Sequence, residues 1–114
     1  MRCDLNALVT INAGICGFVT SAEVSSPDNQ NVEFHVSSNC EKIAKLGKSL
    51  KQCEPIDAYQ EISPASDSVF MAIVRDNLKG CCSGCAVPSG LFKAMQVAAG
   101  LALPKDISIS LSKR

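Results

Sequence analysis

The chain has 114 residues, enough for one domain with an aliphatic core of its own. Apolar residues make up 46% and charged residues 19%, the balance of an ordinary globular protein. Eleven basic and eleven acidic side chains cancel, so no basic excess recommends nucleic acid as a partner, and no apolar run approaches a membrane span.

Residues 4–13 alternate. Leu5, Ala7, Val9, Ile11 and Ala13 share one face, Asp4, Asn6, Thr10 and Asn12 the other, and Leu8 is the exception. This is the period of a half-buried strand, with Cys3 as core filler at its start. Gly14-Ile15-Cys16-Gly17 breaks the alternation as a tight turn or bulge, where a thiol sits on backbone free to approach a ligand closely. The plain alternative is a hairpin turn with an incidental cysteine.

A second strand runs from Phe18 to Val24, with Phe18, Thr20, Ala22 and Val24 on one face. Residues 25–31 carry turn chemistry, and Val32, Phe34 and Val36 then define a third strand opposite Glu33, His35 and Ser37. His35, the only histidine, falls on the polar face, as a solvated residue rather than a ligand or base.

Ser38-Asn39-Cys40-Glu41 has the spacing of a capping box, which places Cys40 in the first turn of a helix, where unpaired amides favour a thiolate. That helix, to about Gln52, buries Ile43, Leu46, Gly47 and Leu50 and fans Lys42, Lys45, Lys48 and Lys51 toward solvent. Pro55 ends it, and residues 54–65 read as an irregular connection around Tyr59 and Ile62. Ser66 or Asp67 caps a second helix lined by Val69, Phe70, Ile73, Val74 and Leu78.

Asn77 to Gly80 delivers the chain to Cys81-Cys82-Ser83-Gly84-Cys85, three of the seven cysteines in five positions. Pro88 suits the first turn of a third helix with a Leu91, Met95, Ala98, Ala102 stripe, and its small residues Ala94, Ala98, Ala99 and Gly100 allow close approach to a neighbour. Pro104 stops it. Ile107, Ile109 and Leu111 against Ser108, Ser110 and Ser112 then give the cleanest alternation in the chain, a last strand. The order β-β-β-α-α-α-β predicts an α+β two-layer sandwich: a single domain over 1–114 with a mainly antiparallel four-stranded sheet and helices on one face.

An odd number of cysteines cannot pair fully within one chain, and the opening Met1-Arg2-Cys3-Asp4 lacks the pattern of a signal peptide, so the expectation is a cytoplasmic protein with reduced thiols. Cys82-x-x-Cys85 is the spacing with which one turn gives a metal two sulfurs. The remaining ligands have to come from afar, and Cys16 and Cys40, both at strand ends, are the candidates; Cys81 is an alternative to Cys82, and Cys53 is a spare. Four thiolates suit zinc or an iron–sulfur cluster, and spacing does not separate the two. Two other readings stand beside this one: a thiol redox or sulfur-handling pair at Cys82 and Cys85, and a structural or interaction module whose cysteines are core. No catalytic residue is assigned, since Glu54, Asp57 and Glu61 have no spacing that makes a chemical case. The lysine-faced helix and the sheet edges are the places for a protein partner or a homodimer.

Asn12-Ala13-Gly14-Ile15-Cys16-Gly17-Phe18, Ser38-Asn39-Cys40 and Cys82-Ser83-Gly84-Cys85-Ala86-Val87-Pro88, leading into Ala98-Ala99-Gly100-Leu101-Ala102-Leu103-Pro104, resemble a small cysteine-rich family of unknown function from anaerobic archaea and bacteria. The resemblance covers nearly the whole chain. It implies no activity, only an anaerobic setting in which exposed thiols and clusters survive.

Overall fold

Alternation builds the first three strands, and their pairing follows from it. The computed structural model describes residues 5–63 and 67–114; Cys3, expected as core filler, and Ser66, a candidate cap, lie outside these. β1 (Leu5–Asn12), β2 (Val19–Ser26) and β3 (Asn31–Ser38) form an antiparallel meander. Register places Ala7 beside Val24, Val9 beside Ala22, and Val24 beside Phe34, so one face of the sheet is apolar. Thr20, Ala22, Val24, Val32 and Phe34 on that face are buried, while Leu8, on the opposite face, is 80% exposed.

The β2–β3 turn is tied by Asp28, whose carboxylate accepts from the Gln30 and Asn31 amides at 3.0 and 2.8 Å and from Asn31 Nδ2 at 2.9 Å. These bonds, the Asn31 side chain's first, hold its pKa below the usual value.

α1 (Glu41–Gln52) follows, burying Ile43, Leu46, Gly47 and Leu50 against β3 as its periodicity predicts. The connection after it is more ordered than the sequence indicates. β4 (Ile56–Asp57) adds a short fourth strand to β3, and α2 (Ala58–Ile62) starts on an Asp57 cap that accepts from the Tyr59 and Gln60 amides. The Glu54 carboxylate continues the β3 edge by accepting from the Phe34 amide at 2.6 Å.

α3 (Val69–Asn77) is capped by Ser68, one residue past the pair expected, and buries Phe70, Ile73 and Val74. Glu61, itself buried, reaches from α2 to accept from the Val69 and Phe70 amides and from the Ser68 hydroxyl. Phe70 joins the layers, 5.7 Å from the Phe34 ring and 5.5 Å from that of Phe92, centroid to centroid.

α4 (Val87–Ala98), with Pro88 in its first turn, lies across β1 and β2. A Cβ on Gly90 would stand 2.6 Å from Ile11 Cδ1, so glycine permits the close seat of this helix on β1.

The fold is therefore α+β, with an antiparallel four-stranded sheet in the order β1-β2-β3-β4 and helices packed on its apolar side. One expectation is overturned in detail. The fourth strand is Ile56–Asp57, not the segment around Ile107, which forms no strand; residues 103–114 are all exposed. Alternation makes a segment able to pair, but pairing also needs an edge within reach.

Candidate functional site

Cys16 stands on the loop that closes the β1–β2 hairpin. Ala13 N donates to Phe18 O at 3.1 Å and Gly17 N to Gly14 O at 2.9 Å, and Asn12 Oδ1 accepts from the Gly14 amide. Gly14 and Gly17 have φ of +92° and +77°, a conformation that other residues adopt only at a cost, so both glycines are required for this turn. The turn presents Cys16 and Ile15 to solvent.

Cys40 is the N-cap residue of α1, the place that the capping box gives to Ser38, so the helix starts two residues later than that pattern predicts. Ser38 does not cap the Glu41 amide. Its Oγ accepts from the Cys40 amide at 3.1 Å and from Thr20 Oγ1 at 2.9 Å, because Ser38 is still the last residue of β3, paired with Thr20. The strand thus holds the backbone of Cys40 in place. Sequence reasoning gave Ser38 the wrong bond, and the signal it lacked was the cross-strand partner.

The third contribution comes from a 3₁₀ turn over Gly80–Gly84, between α3 and α4. Cys85 N donates to Cys82 O at 3.1 Å, which folds the C-x-x-C segment back on itself. Cys82 and Cys85 are half-buried and pack with Cys40 against the core. The side chain of Cys81, the alternative ligand, lies outside what the structure describes.

Burial pushes the Cys85 thiol above its usual value, and the Val87 amide, bonded to it at the start of α4, pulls the other way. Negative charge on Cys16, Cys82 or Cys40 would raise it further. These cysteines belong to the hairpin loop, the α1 cap and the 3₁₀ turn. Among the described residues, however, no three His, Cys, Asp or Glu side chains gather closely enough to hold a metal ion as they stand. The arrangement is open, with its most exposed member on a glycine loop.

Cys40 is the N-cap residue of α1, and Cys85 lies just ahead of α4, where the Val87 amide bonds to it. Cys53, the spare, caps the far end of α1, about 20 Å along the helix from Cys40 at 1.5 Å per residue. His35 is exposed, with Nδ1 3.1 Å from Lys51 Nζ, and is not part of the cluster. Two surface grooves, of about 290 Å³ beside Met71 and Phe92 and about 310 Å³ beside Cys53 and Glu61, include none of Cys16, Cys40, Cys82 and Cys85.

A family model covers residues 7–111, from β1 through every element that carries a thiol of the cluster. The chain belongs to DUF6951, a family of unknown function. The span matched by DUF6951 includes Cys16, Cys40, Cys82 and Cys85 together. No curated protein and no solved structure matches the chain. Among the described residues no helix is long and apolar enough to cross a membrane.

Proposed function

We propose that this protein binds a thiophilic metal centre, zinc or an iron–sulfur cluster, through Cys16, Cys40, Cys82 and Cys85. The observation that carries the reading is that Cys40, Cys82 and Cys85 pack half-buried against one core, with the C-x-x-C segment folded back on itself by the Cys85 N to Cys82 O bond. Mutual repulsion and burial both disfavour a free thiolate at Cys85, and a cation placed among the sulfurs removes the repulsion at once.

The donor set fits such a group. Sulfur is the ligand that zinc and iron–sulfur centres share, and Cys82 and Cys85 have the spacing of a two-sulfur knuckle. Cys40 and Cys85 place their sulfurs beside the N-termini of α1 and α4. Cys16, on the exposed hairpin loop, is the ligand that closes the site, since the other three already pack against the core. When bound, zinc would stiffen the junction of hairpin, α1 and α4, whereas a cluster would supply electron transfer or a deliverable cofactor. A reducing cytoplasm, and the anaerobic setting implied by the resemblance, would keep an exposed Cys16 available.

Exchange chemistry at Cys82 and Cys85 has less support. An attacking thiol needs a lowered pKa, and burial drives Cys85 the other way.

Single Cys→Ser variants test the assignment. After anaerobic loading with zinc or with iron and sulfide, Cys16→Ser, Cys40→Ser, Cys82→Ser and Cys85→Ser should each lose most of the bound metal and the sulfur-to-metal absorption. Cys53→Ser should keep both. Equal loading of all five variants would remove the four-cysteine site.

A further inference from the structure

Two surfaces of this chain complement each other and do not meet within it. The first is the outer edge of β1, which begins the sheet order and has no strand beside it among the described residues. Along that edge the apolar face is incompletely covered. Val9 and Ile11 pack against the core yet remain partly exposed, as do Val97 and Leu101 at the end of α4 and just beyond it. The second is the segment after α4. Its Ile107, Ile109 and Leu111 are 53, 67 and 94% exposed and alternate with Ser108, Ser110 and Ser112.

An isolated extended segment with one apolar face buries nothing and bonds nothing, and a free eight-residue edge invites a strand. The lengths match, since residues 105–112 and β1 are each eight residues, about 26 Å at strand rise. The faces match as well. Seated on β1 with Ile107, Ile109 and Leu111 on the side of Val9 and Ile11, the segment completes the apolar layer at the α4 edge. Its serines then join Asn6 and Thr10 on the polar face.

We infer that residues 105–112 of one copy add as a strand to the β1 edge of a second copy, and that two copies exchange this segment reciprocally. Among the described residues nothing covers either surface, so each copy offers one donor and one acceptor. Reciprocal exchange satisfies all four surfaces and closes as a two-fold dimer, whereas one-way donation leaves an open chain of copies. Backbone bonds along β1 supply the affinity, and the Ile/Leu alternation fixes the register.

Sedimentation equilibrium of the full chain, with hydrogen exchange of the 105–112 amides, tests this. The expected result is a dimer whose 105–112 amides are protected and lose that protection on dilution. Ile109→Pro removes one ladder donor at a position exposed in the free chain. It should weaken association at least tenfold and free the amides, with circular dichroism of the meander and helices unchanged. Ile109→Lys, which spoils the apolar face but keeps the amide, should weaken it also. A monomer with protected amides would mean that the segment pairs with its own β1, and would overturn the inference. A monomer with unprotected amides, or a dimer indifferent to both variants, would overturn it too.

Discussion

Glu61→Ala isolates an interaction that joins two helices through one carboxylate. Glu61 is 6% exposed, and its Oε2 accepts from the Val69 amide at 3.0 Å while Oε1 accepts from the Phe70 amide at 3.2 Å and from the Ser68 hydroxyl. Both amides belong to the first turn of α3, where no carbonyl of the helix can reach them. Truncation leaves the buried Phe70 amide unpaired, at about 1–3 kcal/mol, and returns the more exposed Val69 amide to water at about 0.5–1 kcal/mol. Ser68 loses little, because its Oγ still accepts from the Met71 amide. The sum is about 2–4 kcal/mol, or roughly 8–16 °C in Tm at about 4 °C per kcal/mol for a domain of this size. Glu61→Gln keeps one carbonyl oxygen for the helix but turns a donor toward the second amide and removes the negative charge. It should cost about half as much. Urea unfolding with a common m-value for the three proteins measures both. An Ala variant within about 0.5 kcal/mol of the parent, or a Gln variant as damaged as Ala, would refute the assignment of Glu61 as the cap of α3.

Phe70→Ala removes the ring that lies between Phe34 and Phe92 and should destabilise by about 3–5 kcal/mol, measured by the same unfolding series. The pKa of Asp28 is lowered by its turn bonds, so its contribution to stability is fully present above its ordinary value of 3.8 and is lost as pH falls through the lower folded value. The stability gap between the parent and Asp28→Ala should accordingly be constant near neutrality and close in acid, and a gap independent of pH would contradict the bonding seen.

The meander was legible because strand period and burial agree. The face shared by Thr20, Ala22 and Val24, and that of Val32 and Phe34, is the buried one, and Leu8, which breaks the alternation, is the residue left in solvent. α1 and α4 were legible for the same reason at helical period. Short elements were not. β4 is two residues and α2 five, too few to display any period, and Asp57 as a cap was hidden within a segment that reads as loop. The Glu61 cap was out of reach because the carboxylate comes from seven residues before Ser68, not from the local pattern of a capping box. The opposite error occurred at Ile107–Leu111, where a clear alternation has no adjacent strand. In the candidate site, the spacing of Cys82 and Cys85 and the turn around Cys16 could be read directly. That Cys40 packs on the same core as Cys82 and Cys85 depends on the tertiary arrangement of α1 and α4, which no local pattern encodes.

Metal content with acid-labile sulfide, measured on protein purified without oxygen, is the sharpest probe of a metal held by Cys16, Cys40, Cys82 and Cys85. The expected result is either iron with sulfide in matching amount or one zinc per chain, with Cys16, Cys40, Cys82 and Cys85 protected from alkylation until the metal is removed. Metal-free protein that fails to load with either, with all four thiols alkylated freely, would contradict it.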